Sequence, residues 1–294
     1  MRHIVTGISR VTAEKNQELI CLEESMRRAL IDSNIEITDN NRSNIGIFLG
    51  TTFSNFCIRK NNFDKLDKLG MRAVNPADFP RLLISYLGGC LSIKFGTKGA
   101  LGVLSSGQSS GLDALQQALF FLQRDKKNIA FVIDLDESWE EKKSFMANGS
   151  VCFVCENMDS KTRRKVYAEI LRIESFFEKK NKISGICKCI QKTLEFCLPK
   201  KAASQYFYSS QPLNNRKYIL ENNALQYIYK DKKNKLFPAK NTANSSLKVL
   251  YDNLKSKIFV NSRQNNLPIS LFLNIGNDAN SICVATRIFK ATLE

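Results

Sequence analysis

Residues 103–122 read VLSSGQSSGLDALQQALFFL, and this stretch constrains the fold more tightly than any composition figure. An apolar run that ends in Ser-Ser-Gly, meets a second Ser-Ser-Gly and then turns helical predicts a strand, a tight turn and a helix. Gly107 and Gly111 supply the backbone freedom for the turn, and Ser109 or Ser110 is placed to cap the helix. Leu112, Leu115, Ala118, Leu119 and Leu122 recur at three- and four-residue spacing, as one buried helix face requires. Such an elbow holds one side chain out at the end of a sheet, where the helix N-terminus favours developing negative charge. A nucleophile there is Ser or Cys. Here the apex is Gln108, between Gly107 and Ser109, and an amide exchanges hydrogen bonds but does not attack a carbonyl.

Upstream and downstream of the elbow the pattern alternates. Residues 3–9 read as a strand, 11–31 as a helix, 44–52 as a strand, and 75–91 as a helix opening on Asn75-Pro76, an N-cap followed by an N1 proline. Strand 100–105, the elbow, helix 111–124 and strands 128–136 and 150–156 complete a set that predicts an α/β fold with a mainly parallel sheet covered on both faces. The rest runs through the same alternation in shorter form: strand 165–175, helix 181–197, strand 204–210, helix 217–229, a Lys/Asn-rich loop over 230–246, helix 246–257, and closing strands in ISLFLNIG and SICVATRIF. The like order predicts an internal duplication, with residues 1–156 as the first half and 157–294 as the second, without a residue-level repeat.

The 294 residues hold no apolar run of membrane-spanning length, and the apolar stretch in MRHIVTGISRV is too short for a signal peptide, so a soluble, cytoplasmic protein is expected. Nine cysteines, mostly inside apolar segments, fit reduced core thiols. Cys152 and Cys155 make a C-x-x-C and Cys187 with Cys189 a C-x-C. Both pairs lie on regular elements rather than tight turns and lack a further ligand pair, which favours packing over zinc, and no metal is expected. The acidic stretch DLDESWEE (134–141) reads as a strand end running into a solvated loop in preference to a metal site. His3 is the one histidine, so mechanisms that need two imidazoles are excluded within this chain, and any Cys-His or Ser-His pair would have to use it. Dinucleotide, P-loop and kinase signatures are absent.

The net charge of +16 is unevenly placed. Residues 1–156 carry 19 Lys+Arg against 18 Asp+Glu, and residues 157–294 carry 25 against 10. A basic second half implies an acidic partner, whether nucleic acid, an anionic membrane or an acidic protein such as an acyl carrier. Tyr206, Phe207, Tyr208, Tyr227 and Tyr229 offer stacking surfaces for nucleic acid, but their spacing along strands and a helix is that of core and interface positions.

NIGIFLGTT, the long run from NPADFPRLLISYLGG through SSGQSSGLDALQQALFFL to AFVIDLDE, and NGSVCFVCE together resemble the N-terminal half of the β-ketoacyl synthases of the thiolase fold. The likeness covers about residues 1–175 and includes the Asn-Pro helix, the Ile93/Gly96/Gly99 step, the elbow and the Gly-Leu-Asp-Ala helix start. SLFLNIGNDANSICVATRIF resembles the family's last strand pair and the loop between, with Asn274, Gly276 and Asn280 in place, although the loop lacks its Phe-Gly-Gly and Leu101 stands where a proline is usual. The resemblance implies a thiolase-like fold of two related mixed-sheet halves in α-β-α-β-α layers, the second shortened. In active members the elbow carries an acyl-accepting cysteine, and two histidines support malonyl carbanion formation. Glutamine at the elbow with both histidines gone is similar to the chain-length factor, or ketosynthase β subunit, of type II polyketide synthases; glutamine-bearing loading synthases keep the histidines.

What that resemblance implies is a subunit without catalysis of its own, in a heterodimer with a catalytic ketosynthase. Gln108, Gly107 and Ser109 would form a vestigial active site. Phe53, Phe56 and Lys60, with Phe63 close behind, fall on the positions that gate the tunnel for a growing poly-β-keto chain, and Phe79, Leu83, Tyr86 and Leu87 on an interface helix. The product would be an aromatic polyketide, with a polyene as the alternative. No cofactor of its own is implied, the substrate riding on the phosphopantetheine of an acyl carrier protein that the basic second half would attract. A purely structural scaffold and a basic nucleic-acid-binding protein are the competing readings.

Overall fold

Strand β1 (His3–Val11) runs through the middle of a ten-stranded sheet because every one of its residues from His3 to Ser9 is buried, with sheet neighbours on both sides. The structure is a computed structural model that describes residues 2–12, 17–140, 143–158, 165–177, 182–197, 205–209, 216–229, 236–237, 246–255, 269–275 and 280–288. Helix α1 (Glu18–Ser33) follows and closes on Asn34, left-handed at φ 53°, whose N–H reaches Leu30 and Ile31 carbonyls. It begins well after residue 11, where the sequence reading placed it, since Val11 is still paired with Ser150 in the sheet. Strand β2 (Ile45–Thr51) is buried along its whole length. Helix α2 (Phe56–Leu69) then leads through short 3-10 turns at Met71–Ala73 and Pro76–Leu82 to α3 (Tyr86–Phe95).

The expected single helix over 75–91 is therefore two pieces. Asn75 does cap it, accepting from the Ala77 N–H at 3.1 Å, but Pro80 lacks an N–H and Leu83 is extended, so the axis breaks before α3. Strand β3 (Leu101–Leu104), α4 (Ser110–Arg124) and the long hairpin β4 (Ile129–Glu140) and β5 (Lys143–Asn157) end the first set of elements. The second set is β6 (Ala168–Phe177), α5 (Lys182–Cys197), β7 (Gln205–Ser209), α6 (Arg216–Tyr229), the two-residue β8 (Leu236–Phe237), α7 (Ser246–Lys255) and the hairpin β9 (Ile269–Ile275) and β10 (Asn280–Ile288). β8 falls where the sequence reading had only loop.

The sheet order is β3-β2-β4-β5-β1-β6-β10-β9-β7-β8. Read outward from the β1·β6 junction, each side has the order first, fifth, fourth, second, third strand, so the topology repeats where the sequence does not. Parallel pairing is confined to the flanks, β3·β2·β4 and β9·β7·β8, and the centre is antiparallel. This corrects the expected mainly parallel sheet: both hairpins return without a helix and force antiparallel neighbours.

Three apolar clusters give the layers. α1 and α3 cover one face of the first five strands through Leu22, Met26, Leu87 and Leu91. α5 and α6 cover the outer face of the second five through Ile186, Ile190 and Leu225. Between the two sheet faces lie α4 and α7, with Leu112, Leu115, Leu122, Leu247 and Leu250 meeting side chains from both sets of strands. The layering is thus α-β-α-β-α. Glu169 on β6, 4% exposed, ties the seam: Arg2 grips both its oxygens at 2.6 and 2.9 Å and Arg287 of β10 reaches it at 2.6 Å. Burial pushes the Glu169 carboxyl up, but the Arg2 and Arg287 contacts outweigh this and hold it below its usual range. Among the described residues no helix is long and apolar enough to cross a membrane.

Candidate functional site at the elbow

The elbow forms as the residue pattern requires. After β3 the chain turns over Gly107–Ser109 into α4, and Gly107 sits at φ +66°, a left-handed conformation that strains any residue with a Cβ. Gly50, at the end of β2, lies so close to α4 that an added Cβ would come within 2.5 Å of the Gly111 nitrogen and the Ser110 carbonyl carbon. Helix and sheet therefore meet backbone to backbone beneath the apex.

Hydroxyls hold the turn. The Ser110 Oγ lies 2.6 Å from the Gly107 carbonyl and 3.1 Å from that of Thr51, and accepts the Ser106 N–H at 2.9 Å. Thr52 donates to the Gly107 carbonyl at 3.1 Å, and Ser105 to the Thr52 carbonyl at 3.1 Å. Asp113 accepts from Ser106 and, at 3.2 Å, from Ser109. Burial pushes the Asp113 carboxyl up while these two hydroxyls draw it down, and the net shift is upward. Gln108 is half-buried at the apex and Ser109 is buried. Ser109 is the N-cap position of α4 by backbone, but its side chain points to the Ser106 carbonyl and Asp113 rather than to the helix amides.

No imidazole is near. His3 is at the start of β1, where its Nδ1 donates to Asn157 Oδ1 at 2.9 Å, and Asn157 in turn donates to the carbonyls of Leu122 and Asp125 at 2.7 and 3.1 Å. Those carbonyls mark the C-terminal end of α4. With Gln108 before its N-terminal end, a 15-residue helix of about 22 Å separates the two. Burial pushes the His3 imidazole below its usual range, against the Asn157 bond, as suits a structural group.

The cysteine pairs divide as packing predicts. Cys152 faces the α1/α3 layer and Cys155 the central layer, on opposite faces of β5, so the two cannot share a metal ion. Cys187 and Cys189 face the α5/α6 core, where the Cys189 thiol contacts the Ser281 carbonyl at 2.9 Å. Burial raises all four thiols. Among the described residues no group of His, Cys, Asp and Glu is arranged to hold a metal. Phe207 and Tyr208 are core residues, with Tyr208 stacked on Phe272 at 5.2 Å; the side chains of Tyr206, Tyr227 and Tyr229 lie outside the described residues. Asp134 is buried on β4, while the side chains of Asp136 to Glu140 lie outside the described set, as does all of Glu141. Gly276 and the side chains of Asn274 and Asn280 lie outside it too.

The expected gate residues gather on one arm. Phe53 is half-buried before α2, Asn55 starts the helix from a left-handed φ of 55°, and Phe56, Lys60 and Phe63 follow at four- and three-residue spacing on one helix side. Phe63 is 66% exposed, and the Phe56 side chain is outside the described residues. α2 rests chiefly on the turns at 71–73 and 76–82. Asn55 anchors it by donating to the Arg81 carbonyl at 2.9 Å, and Arg59 by donating to the Phe53 carbonyl. Beside it runs a groove of about 560 Å³ lined by Arg59, Leu82, Leu83, Ile84, Leu101 and Val103. The Arg59 Nε is buried there and meets no acceptor among the described residues.

Of the expected interface residues, Phe79 and Leu83 are exposed and Tyr86 is half-buried. Leu87 is a correction. It is 2% exposed in the core under α3, because the helix break turns it toward Leu91 and the sheet, and it has no surface to offer a partner. Sequence reasoning missed Arg59, Asn55 and the burial of Asp134, which it read as the start of a solvated acidic stretch. The last left a signal, a carboxylate set between the apolar run IAFVI and Leu135.

Comparison with known proteins agrees with this geometry. Residues 4–147 match the family described as "Beta-ketoacyl synthase, N-terminal domain". A 76-residue stretch is 33% identical to 3-oxoacyl-[acyl-carrier-protein] synthase 2 of Coxiella burnetii, covering 26% of this chain and only 18% of that protein. Among solved structures, the ishigamide ketosynthase/chain length factor superposes at TM-score 0.75 with 13% identity, over 99% of this chain and 100% of that one. A type II polyketide synthase acyl-carrier protein in complex with its ketosynthase bound to the hexaketide gives 0.78 with 13% identity, over 98% and 99%. A β-ketoacyl synthase from Burkholderia phymatum gives 0.77 with 11% identity, over 98% and 100%. Residues 4–147 thus match the N-terminal domain of the β-ketoacyl synthases, and the chain as a whole has the thiolase-like fold of the ketosynthase structures.

Proposed function

We propose that this chain is a non-catalytic chain-length factor, which pairs with a catalytic ketosynthase and shapes the tunnel for a poly-β-keto chain in type II, aromatic polyketide synthesis. The observation that carries the reading is the elbow itself. Its scaffold is intact, yet the apex is the amide Gln108, and the sole histidine is at the far end of α4. An amide with no imidazole in reach neither accepts an acyl chain nor supports a carbanion. What remains useful is shape. Phe53, Phe56, Lys60 and Phe63 on the α2 arm would set how far the partner's growing chain extends, with Phe79 and Leu83 beside the sheet edge at β3 meeting the partner. The acyl carrier protein would deliver substrate on its phosphopantetheine, drawn in part by the basic residues after 157.

Co-expression with a catalytic ketosynthase and an acyl carrier protein, followed by product mass analysis, tests this. A longer product from Phe53→Ala or Phe56→Ala at unchanged heterodimer yield is expected. Unchanged products from both would reduce the chain to a scaffold, and failure to pair with any ketosynthase would remove the reading.

A further inference from the structure

The buried carboxylate of Asp134 has no part in the function just described. It lies on β4, paired in the sheet with Gly50, and is 3% exposed. Its neighbours on the inward face of β4, Ala130 and Val132, are apolar members of the central core. A lone carboxylate in such a place is costly unless positive charge or N–H groups meet it. Two helix N-termini do so. A Cβ on Gly111, in the first turn of α4, would come within 2.2 Å of Asp134 Oδ2, so only glycine leaves room for the carboxylate there. From the other side the N–H of Leu247, in the first turn of α7, donates to the same oxygen at 3.2 Å. Each N-terminus carries about half a positive charge, and together they match one carboxylate.

We propose that Asp134 is a built-in counter-charge beneath the elbow, which cancels the anion-stabilising field of the α4 N-terminus at position 108. The site then takes neutral hydrogen-bonding groups, such as the carbonyl of a thioester or ketone, and rejects a thiolate or enolate. This inference rests on the reading of the elbow as a vestigial active site. It makes the loss of catalysis double: the nucleophile is gone, and so is the field that would activate one. The other charged residues in the two first turns are Asp113 and Lys248. Asp113, bound by Ser106 and Ser109, belongs to the elbow's own support and serves as the control.

The test places a thiol at the apex. Full-length Gln108→Cys is alkylated with iodoacetamide between about pH 6 and about pH 10, with wild type as the blank for its native cysteines. The new thiol should titrate at or above the ordinary value of about 8.5. Adding Asp134→Asn, whose side-chain oxygen still accepts the Leu247 N–H, should lower that by about one unit and speed alkylation at pH 7 about tenfold. Asp113→Asn should do less. An apex thiol already titrating well below 8 in the single variant overturns the proposal. So does a profile that Asp134→Asn leaves in place, or one that Asp113→Asn shifts just as far. If Asp134→Asn fails to fold, as judged by circular dichroism, Asp134→Ser replaces it, and the single variant is decisive in either case. The assay needs no partner, so a failed product-length experiment and a failed alkylation experiment sink different claims.

Discussion

The elbow and the α2 arm are joined through residues 51–55, yet they are built in opposite ways. At the elbow, hydroxyls of Thr52, Ser105, Ser106, Ser109 and Ser110 are paired within the chain, and helix meets sheet at backbone contact distance. On the arm, Phe63, Leu69 and Met71 are exposed, contacts with the sheet are sparse, and the Arg59 Nε meets no acceptor among the described residues. The difference teaches that one short connection can join a region closed on itself to one left open. The elbow's packing serves the fold, while the arm's geometry is free to serve a partner.

The contrast is sharpest at Gly50. Gly50→Ala would push a methyl group into the backbone of Ser110 and Gly111, and should destabilise the chain by about 3 kcal/mol or more in urea unfolding. A melt equal to wild type would break the claim that the elbow is rigid. The seam between the two sets of strands should rank next. Glu169→Gln keeps the shape but leaves Arg2 and Arg287 without their anion. Both guanidiniums are partly in water and can turn outward, so a loss of about 1–3 kcal/mol is expected. The sign of its pH dependence follows from the depressed pKa of Glu169. Its contribution is full above the unfolded carboxylate value of about 4.3 and disappears as pH falls through the lower folded value. Wild type and Glu169→Gln should therefore draw together in stability as pH falls from about 4.3 into the acid range, and a gap that stays constant down to the acid transition would contradict the assignment. Smallest of all is the effect expected on the arm. Leu83→Asp, at a residue 53% exposed, should change the stability of the isolated chain by no more than about 0.5 kcal/mol, while weakening association with a ketosynthase at least about tenfold. A large stability loss with intact pairing would reverse the proposed roles of the two regions.

Much of this was legible in the sequence because local signals and the fold agree. The elbow's strand, turn and helix, the buried face of α4, and the alternation that places every strand but β8 follow from spacing and turn chemistry, and the likeness over about residues 1–175 carried the layer order. The α3 break was legible too, in Pro80, but the apolar periodicity across it argued for one helix and hid it. The parallel-to-antiparallel change was missed because it depends on which strands become neighbours. Leu87 was misplaced for a related reason: periodicity says that a residue belongs to an apolar face, not whether that face meets the core or a partner.

By itself, then, the sequence determined which groups the site can draw on, since it supplies one histidine and an amide at the apex. It also determined the local elements, whose signals lie within a few residues of one another. Only the tertiary structure decided that His3 lies at the far end of α4 and that Asp134 is held between two helix N-termini. Such facts rest on contacts between residues far apart in the chain, and no local pattern encodes a distance that only the packed sheet brings about.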